Sequence, residues 1–212
     1  MNEATAKALI LTHVRRASGR RLPTVTAELT LGTSSVRADL VAVRDSELIG
    51  IEIKTERDTL RRLPAQIEGY AKFFNHAMIV ADERHLAAIL DMDVRGASVW
   101  MLEENGIELI RGGRRNVPCS SVFGEMMTRE ERRVFDAGGP EAYLDVFTKR
   151  YGENSQAFWD SVRGRKIRSD DIKFLSRFTE RRLAMLDIAR DKELQWQRWR
   201  EAYARQPAVA CA

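Results

Sequence analysis

The sequence is poor in residues that build disulfide-bonded and zinc-ribbon folds. Only two of its 212 residues are cysteine, Cys119 and Cys211, and they are far apart with no Cys-x-x-Cys spacing. This excludes a disulfide framework and a structural zinc ribbon, and it suits a reducing compartment. No apolar run approaches the roughly 20 residues that a membrane span needs, and the first residues show no secretory signal. We therefore expect a cytoplasmic protein with no membrane association.

Charge of one sign is not in large excess either. The chain has 35 Lys and Arg against 31 Asp and Glu, for a net charge of +4 and a pI near 9.3. A mild positive balance favours polyanionic partners without establishing them, because attraction depends on where the charge lies. The sequence has no G-x-S-x-G and no G-x-x-x-x-G-K-[ST] segment, which argues against a serine-nucleophile hydrolase and a P-loop protein.

The order of predicted elements indicates an α/β domain followed by helices. Apolar spacing and β-prone runs predict the order helix, strand, β-hairpin, helix, strand, helix, strand and edge strand. Pro64 either kinks the helix that begins near Asp58 or marks the first turn of a second helix. Residues 1–115 are therefore predicted to form a mixed β-sheet flanked by helices, and residues 116–212 an all-helical region. The predicted helices are 4–14, 58–74, 82–90, 129–135, 141–149, 169–189 and 192–203; the predicted strands are 24–29, 36–43, 47–54, 77–81, 97–102 and 106–110.

The predicted hairpin carries charges in an apolar setting. Alternation along a strand places Glu52 and Lys54 on one face, and Asp39 on the partner strand comes opposite or diagonal to Glu52. Buried charges are costly unless they are paired or bound to a metal. Mg²⁺ takes oxygen ligands and often uses one or two carboxylates with water and phosphate. The pattern thus indicates an Mg²⁺ or Mn²⁺ site with Asp39, Glu52 and the carbonyl of Ile53 as ligands.

Two further charged side chains have expected roles at this site. Lys54 points to the same place, where it could orient or deprotonate an attacking water and screen developing negative charge. Glu28, on the preceding strand, could reach the site as an additional ligand or base.

These residues resemble the PD-(D/E)XK nuclease superfamily, whose core is a helix, a β-hairpin with Asp and Glu-x-Lys, and then a helix and a strand. Asp39 takes the first acidic position, with Ala38 in place of the proline, and Glu52-Ile53-Lys54 matches the second element. The resemblance covers residues 4–110 and implies a restriction-endonuclease-like core. It also implies hydrolysis of DNA phosphodiester bonds with Mg²⁺ or Mn²⁺.

A second motif follows on the next helix. Gln66 and Tyr70 resemble the Q-x-x-x-Y motif of some nuclease branches, and at i and i+4 they share a helix face. By this resemblance Gln66 orients the site and Tyr70 approaches the substrate phosphate. Residues 37–70 also resemble a family of poorly characterised bacterial proteins assigned to this superfamily.

Basic side chains are candidates for phosphate contacts. Arg57, Arg61 and Arg62 flank the predicted site, and Arg165 and Lys166 lie in a basic segment that is predicted to be an exposed loop. A solvated helix face explains the first group equally well. The second group is the better candidate because it is predicted to be an exposed loop, with a solvated charge run as its alternative.

Three functional hypotheses remain open. The first is a DNA nuclease, and the second is a non-catalytic module that keeps the fold and binds nucleic acid or protein. The third is an interaction protein that acts through its helical C-terminal half. An ion pair of Lys54 with Asp39 or Glu52 on a solvated face would explain the charges without catalysis. The oligomeric state is open, a homodimer included.

Overall fold

The computed structural model describes residues 1–32, 34–118, 120–134, 140–175, 193–197 and 199–200. By its contacts the chain divides into two units, Met1–Arg177 and Phe178–Ala212. The boundary predicted near residue 115 falls inside the first unit, where a helix from its C-terminal side packs on the sheet. In the second unit, the described residues 193–197 and 199–200 are helical.

The first unit is an α/β fold built on one mixed six-stranded sheet, as predicted. The strands are β1 (Thr24–Thr30), β2 (Arg37–Arg44), β3 (Glu47–Lys54), β4 (His76–Ala81), β5 (Ser98–Leu102) and β6 (Ile107–Arg111). They lie side by side in chain order. The β1–β2, β2–β3 and β5–β6 pairs are antiparallel, and the β3–β4 and β4–β5 pairs are parallel.

Local chemistry explains this topology. Asp45 and Ser46 connect β2 to β3 with φ of 50° and 63°, the left-handed conformations that a two-residue hairpin turn requires. Parallel neighbours need a longer crossover, usually a helix. Such a helix precedes β4, and another precedes β5.

The helices of the first unit lie on both faces of the sheet. They are α1 (Glu3–Ser18), α2 (Leu63–Phe73), α3 (Glu83–Leu90), α4 (Ser120–Glu125), α5 (Arg129–Val134), α6 (Pro140–Ser161) and a 3₁₀ helix (Ser169–Leu175). The predicted helix over 169–189 is thus 3₁₀ in its first part, and its later residues lie outside the described ranges. Among the described residues, no helix is both long and apolar enough to cross a membrane.

The second predicted helix begins later than expected. It starts at Leu63 instead of near Asp58, and Pro64 lies in its first turn, where proline's missing N–H costs nothing. Asp58 does not cap the helix. Its Oδ2 accepts hydrogen bonds from the N–H and the hydroxyl of Thr55, at 2.8 and 2.6 Å, and it therefore closes the turn that follows β3.

The alternation of β3 divides the core into two layers. Ile51 and Ile53 belong to a buried cluster that includes Ile10 and other residues of α1. The opposite face of β3 packs against α2 and the residues next to it, among them Tyr70 and Phe74. The candidate site therefore lies on the α2 face of the sheet.

Gly50 is required for the close approach of β3 to Phe74. A Cβ at position 50 would lie 2.2 and 2.3 Å from the Cδ2 and Cε2 atoms of Phe74, and that ring is completely buried. We expect Gly50→Ala to lower the free energy of unfolding by about 3 kcal/mol, as measured by urea denaturation. Gly106→Ala is the matched control, because nothing lies within 4 Å of its added Cβ. Equal losses in the two variants would contradict this packing.

Candidate functional site

Asp39 lies where β2 and β3 stop pairing. The last register pair on this side is Leu40–Ile51, so Asp39 occupies the position opposite Glu52 just beyond it. Its Oδ2 accepts a hydrogen bond from the N–H of Ile53 at 2.8 Å. The Asp39 carboxylate thus takes the place of a β2 backbone carbonyl as the acceptor for the Ile53 N–H, and this bond holds it beside β3.

Glu52 is the centre of a buried hydrogen-bonded network. Lys54 Nζ donates to Glu52 Oε1 at 2.7 Å and to Gln66 Oε1 at 3.0 Å. The Tyr70 hydroxyl donates to Glu52 Oε2 at 2.8 Å. Tyr70 of α2 is therefore joined to β3 through the Glu52 carboxylate, and Gln66 of α2 through the Lys54 ammonium.

The ion pair between Glu52 and Lys54 is not on a solvated face. Glu52 is 1% exposed and Lys54 6% exposed. Removing two charges from water costs several kcal/mol per ion, and their attraction often only balances that cost. Stability alone is therefore a weak reason for placing this pair in the core.

Electrostatics couple Asp39 to this network. Burial, followed by the negative charge of Glu52, raises the pKa of Asp39 to about 7, against the opposing effect of the hydrogen bond from Ile53. Two carboxylates that share a site disfavour each other's ionised form. Near neutral pH the Asp39 carboxylate therefore readily takes up a proton, or a cation in its place.

Three residues carry the oxygen atoms that could hold one hard divalent cation: Asp39, Glu52 and Ile53. Within the described part of the chain, no donor other than Ile53 N–H binds the Asp39 carboxylate. The carbonyl of Ile53 points to the same side of β3 as its N–H, which is toward Asp39. No group of three or more His, Cys, Asp or Glu that could hold a metal occurs among the described residues. A cation here would take two carboxylates and a carbonyl from the protein, and water or phosphate oxygens for the rest.

Tyr70 is placed differently from its predicted role. It is completely buried, and its hydroxyl contacts the carbonyl of Ile51 at 3.3 Å as well as Glu52. Burial and then the charge of Glu52 raise the pKa of Tyr70 well above its usual value. In this geometry Tyr70 orients Glu52 from inside the protein and does not present its hydroxyl to a phosphate.

Glu28 lies on β1, at the position opposite Asp39 of β2. The register pairs Ala27–Leu40 and Leu29–Ala38 flank it, and its φ of 59° interrupts the ladder with a conformation that non-glycine residues rarely adopt. Its Oε2 lies 3.9 Å from Arg37 Nη1. Glu28, Asp39 and Glu52 thus occupy neighbouring positions on β1, β2 and β3. Glu28 nevertheless does not form a three-carboxylate metal group with the other two.

The five predicted phosphate-contacting side chains lie in two places. Arg57, Arg61 and Arg62 are exposed on the segment between β3 and α2, and their side chains have no partner among the described residues. Arg165 instead holds Asp171 through two hydrogen bonds of 2.8 Å each. Lys166 is exposed beside it. Only the first three therefore lie on the segment that joins β3, which carries Glu52 and Lys54, to α2, which carries Gln66 and Tyr70.

Lys7 was not among the residues predicted for the site. This α1 residue is 4% exposed, and its Nζ lies 2.5 Å from Glu3 Oε1. The charge of Glu3 raises the pKa of Asp39 and that of Lys7 lowers it, so the N-terminal part of α1 acts on the site. The available signal was a lysine inside the apolar run of an amphipathic helix.

A buried histidine supports the segment that leaves the site. His85 Nε2 lies 3.0 Å from the carbonyl of Thr55, and both residues are buried. Thr55 directly follows Lys54, so α3 holds the chain where it departs from β3. This is a structural position for His85, which has no metal-ligand spacing in the sequence.

Known proteins resemble this chain in two ways. SPO1766, a protein of unknown function from Silicibacter pomeroyi, superposes with a TM-score of 0.52 at 14% identity, over 76% of this chain and 93% of that one. This likeness shows the fold alone. No curated protein matches the sequence. A family model described as bacteriophage P4 protein cII matches residues 1–135, which include the whole sheet and the carboxylate site. Because that match covers more than half of the 212 residues, the chain belongs to the family of bacteriophage P4 protein cII.

Proposed function

We propose that this protein is a metal-dependent nuclease that hydrolyses DNA phosphodiester bonds with Mg²⁺ or Mn²⁺. The observation that carries the proposal is the buried cluster in which Lys54 Nζ bridges Glu52 and Gln66 while Asp39 lies opposite Glu52. The same residues resemble the PD-(D/E)XK motifs in type, spacing and element order. A restriction-endonuclease-like assignment of the mixed sheet is part of this proposal.

Each side chain has a definite role in the proposed reaction. Asp39, Glu52 and the Ile53 carbonyl hold the cation, which when bound activates water and neutralises the phosphate. Lys54, fixed by two hydrogen bonds, orients the attacking water and stabilises negative charge as it develops. Gln66 keeps the Lys54 ammonium in position, and Tyr70 keeps the Glu52 carboxylate in position.

The exposed arginines on the segment between β3 and α2 fit a DNA substrate. Arg57, Arg61 and Arg62 would bind phosphates on either side of the scissile bond. Phosphate contacts of this kind position nucleic acid without reading its sequence. They also make binding dependent on salt concentration.

Lys54→Ala tests the proposal directly. We expect the wild-type protein to cut plasmid or single-stranded DNA in Mn²⁺, and the variant to be slower by about 100-fold or more, because a preorganised charge at the reacting phosphate is lost. Lys149→Ala is the matched control, since that lysine is exposed on α6; it should cut at the wild-type rate. Indistinguishable rates for wild type and Lys54→Ala would overturn the proposal.

One observation favours a non-catalytic alternative. Both Glu52 oxygens already accept hydrogen bonds from Lys54 and Tyr70, and that carboxylate is almost fully buried. A closed network of this kind could serve only to orient the core of a nucleic-acid- or protein-binding module. Gel-shift binding that needs no metal and survives Asp39→Ala, with no cleavage by the wild type, would favour this alternative.

A further inference from the structure

A second basic region lies at the C-terminal end of α1. A cleft of about 830 Å³ is formed there between α1, the end of α6 and the turn that follows α6. Its lining includes five cationic side chains and one carboxylate, Asp160. The cations are Arg15, Arg16, Arg163, Arg165 and Lys166.

Two of these arginines hold one wall of the cleft in place. Arg15 donates to the backbone carbonyls of Val162 and Arg165, at 3.0 and 3.1 Å. The guanidinium of Arg165 is paired with Asp171. These bonds tie the turn after α6 to α1 and to the 3₁₀ helix, so the cleft has a defined wall.

The other three cations are available to a ligand. Arg16 and Lys166 are exposed, with no ion-pair partner among the described residues. Arg163 is also exposed, and within the described part of the chain its side chain pairs only with Asp160, three residues earlier. Such an exposed pair contributes little energy, so a phosphate can replace the carboxylate.

We propose that this cleft binds the phosphodiester backbone of a nucleic acid, with Arg16, Arg163 and Lys166 contacting phosphates. Three exposed cations on two different elements suit successive phosphates, whereas pockets for small ligands hold them with a few polar groups in an apolar, enclosed setting. The exposed apolar side chain of Leu22 at the same cleft can contact the sugars.

The cleft and the carboxylate site lie toward opposite ends of α1. Lys7, which acts electrostatically on Asp39, and Arg16 are separated by nine residues of α1, or about 14 Å at 1.5 Å per residue. At about 3.4 Å per phosphate along one strand of a duplex, this is about four phosphates. The inference rests on the proposed function in one respect, that the strand held here is the one presented to Asp39.

Binding without cleavage tests the cleft. Fluorescence anisotropy of labelled duplex DNA, single-stranded DNA and single-stranded RNA would be measured in EDTA at several salt concentrations, for the wild type and an Arg16→Ala/Lys166→Ala double variant. We expect at least about fivefold weaker binding and a salt slope smaller by about 1.8 for duplex, or about 1.4 for a single strand. The one of these three nucleic acids that binds most tightly identifies the kind of nucleic acid that the cleft accepts.

Arg129→Ala/Arg133→Ala is the matched control. It removes the same charge from exposed positions of α5 that do not line the cleft, so its affinity should stay near that of the wild type. Absence of binding by the wild type, equal binding by the cleft variant and wild type, or an equal loss in the control would each overturn the inference. Because EDTA prevents metal-dependent cutting, a protein that binds through the cleft but never cuts would leave the inference standing and overturn only the nuclease proposal.

Discussion

An Asp39→Asn variant should be more stable than the wild-type protein at pH 8 and should no longer cut DNA. The pKa of this carboxyl rises from 3.8 to about 7 in the folded protein, so between these values the folded state holds a proton that the unfolded chain has lost. The wild type therefore loses stability as the pH rises from about 4 to about 7. Asparagine is neutral throughout and can still accept the hydrogen bond from Ile53.

The expected gain depends on pH. One pKa unit corresponds to about 1.4 kcal/mol. Since Asp39 is only partly buried and shares its environment with Glu52, we expect a gain of about 2 kcal/mol at pH 8 and almost none at pH 4. Urea unfolding without metal at both pH values measures this, alongside a cleavage assay in Mn²⁺.

Asp145→Asn provides the comparison, because this carboxylate is exposed on α6 and should change stability by less than about 0.5 kcal/mol at either pH. An Asp39→Asn variant that is less stable than the wild type at pH 8 would show that the carboxylate stabilises the fold. The Asp39 carboxylate would then have a structural role and not a functional one.

Removing one partner of the buried Glu52–Lys54 ion pair should lower the free energy of unfolding far more than removing both partners. Lys54→Met leaves the Glu52 carboxylate buried, with the Tyr70 hydroxyl as its only side-chain donor among the residues that the structure describes. We expect the free energy of unfolding to fall by about 3–5 kcal/mol. In the Glu52→Leu/Lys54→Met double variant neither charge remains, so stability should return to within about 1 kcal/mol of the wild type, or exceed it.

Lys72→Met is the control for the loss of a lysine in an ion pair. Lys72 lies 3.3 Å from Glu125, with 52% of its side chain exposed, and its loss should cost less than about 1 kcal/mol. Guanidinium denaturation of the four proteins gives the comparison. A double variant as unstable as Lys54→Met would show that the pair itself supports the fold, and it would weaken the case for a functional origin.

The hairpin and the adjacent helix motif were predictable because their signals are local. A two-residue connection between apolar strands determines the β2–β3 pairing, and alternation then places Glu52 and Lys54 on one face. Spacing of four residues places Gln66 and Tyr70 together on a helix. The start of α2 was mispredicted because Asp58 has two possible local partners, and the Thr55 turn competes successfully with a helix cap.

The sequence by itself determined the α/β class, the element order from α1 to β6, and the placing of Asp39, Glu52, Lys54 and Gln66 on the hairpin and α2, since each depends on contacts within a few residues or between neighbouring strands. Helix α4 was not predicted. Only the tertiary structure decided which groups are buried and which long-range partners they have. It placed Tyr70 beneath Glu52, Lys7 beside the site, and Arg165 in a pair with Asp171. The physical reason is that desolvation and charge coupling depend on packing between distant segments, and local spacing contains no information about that packing.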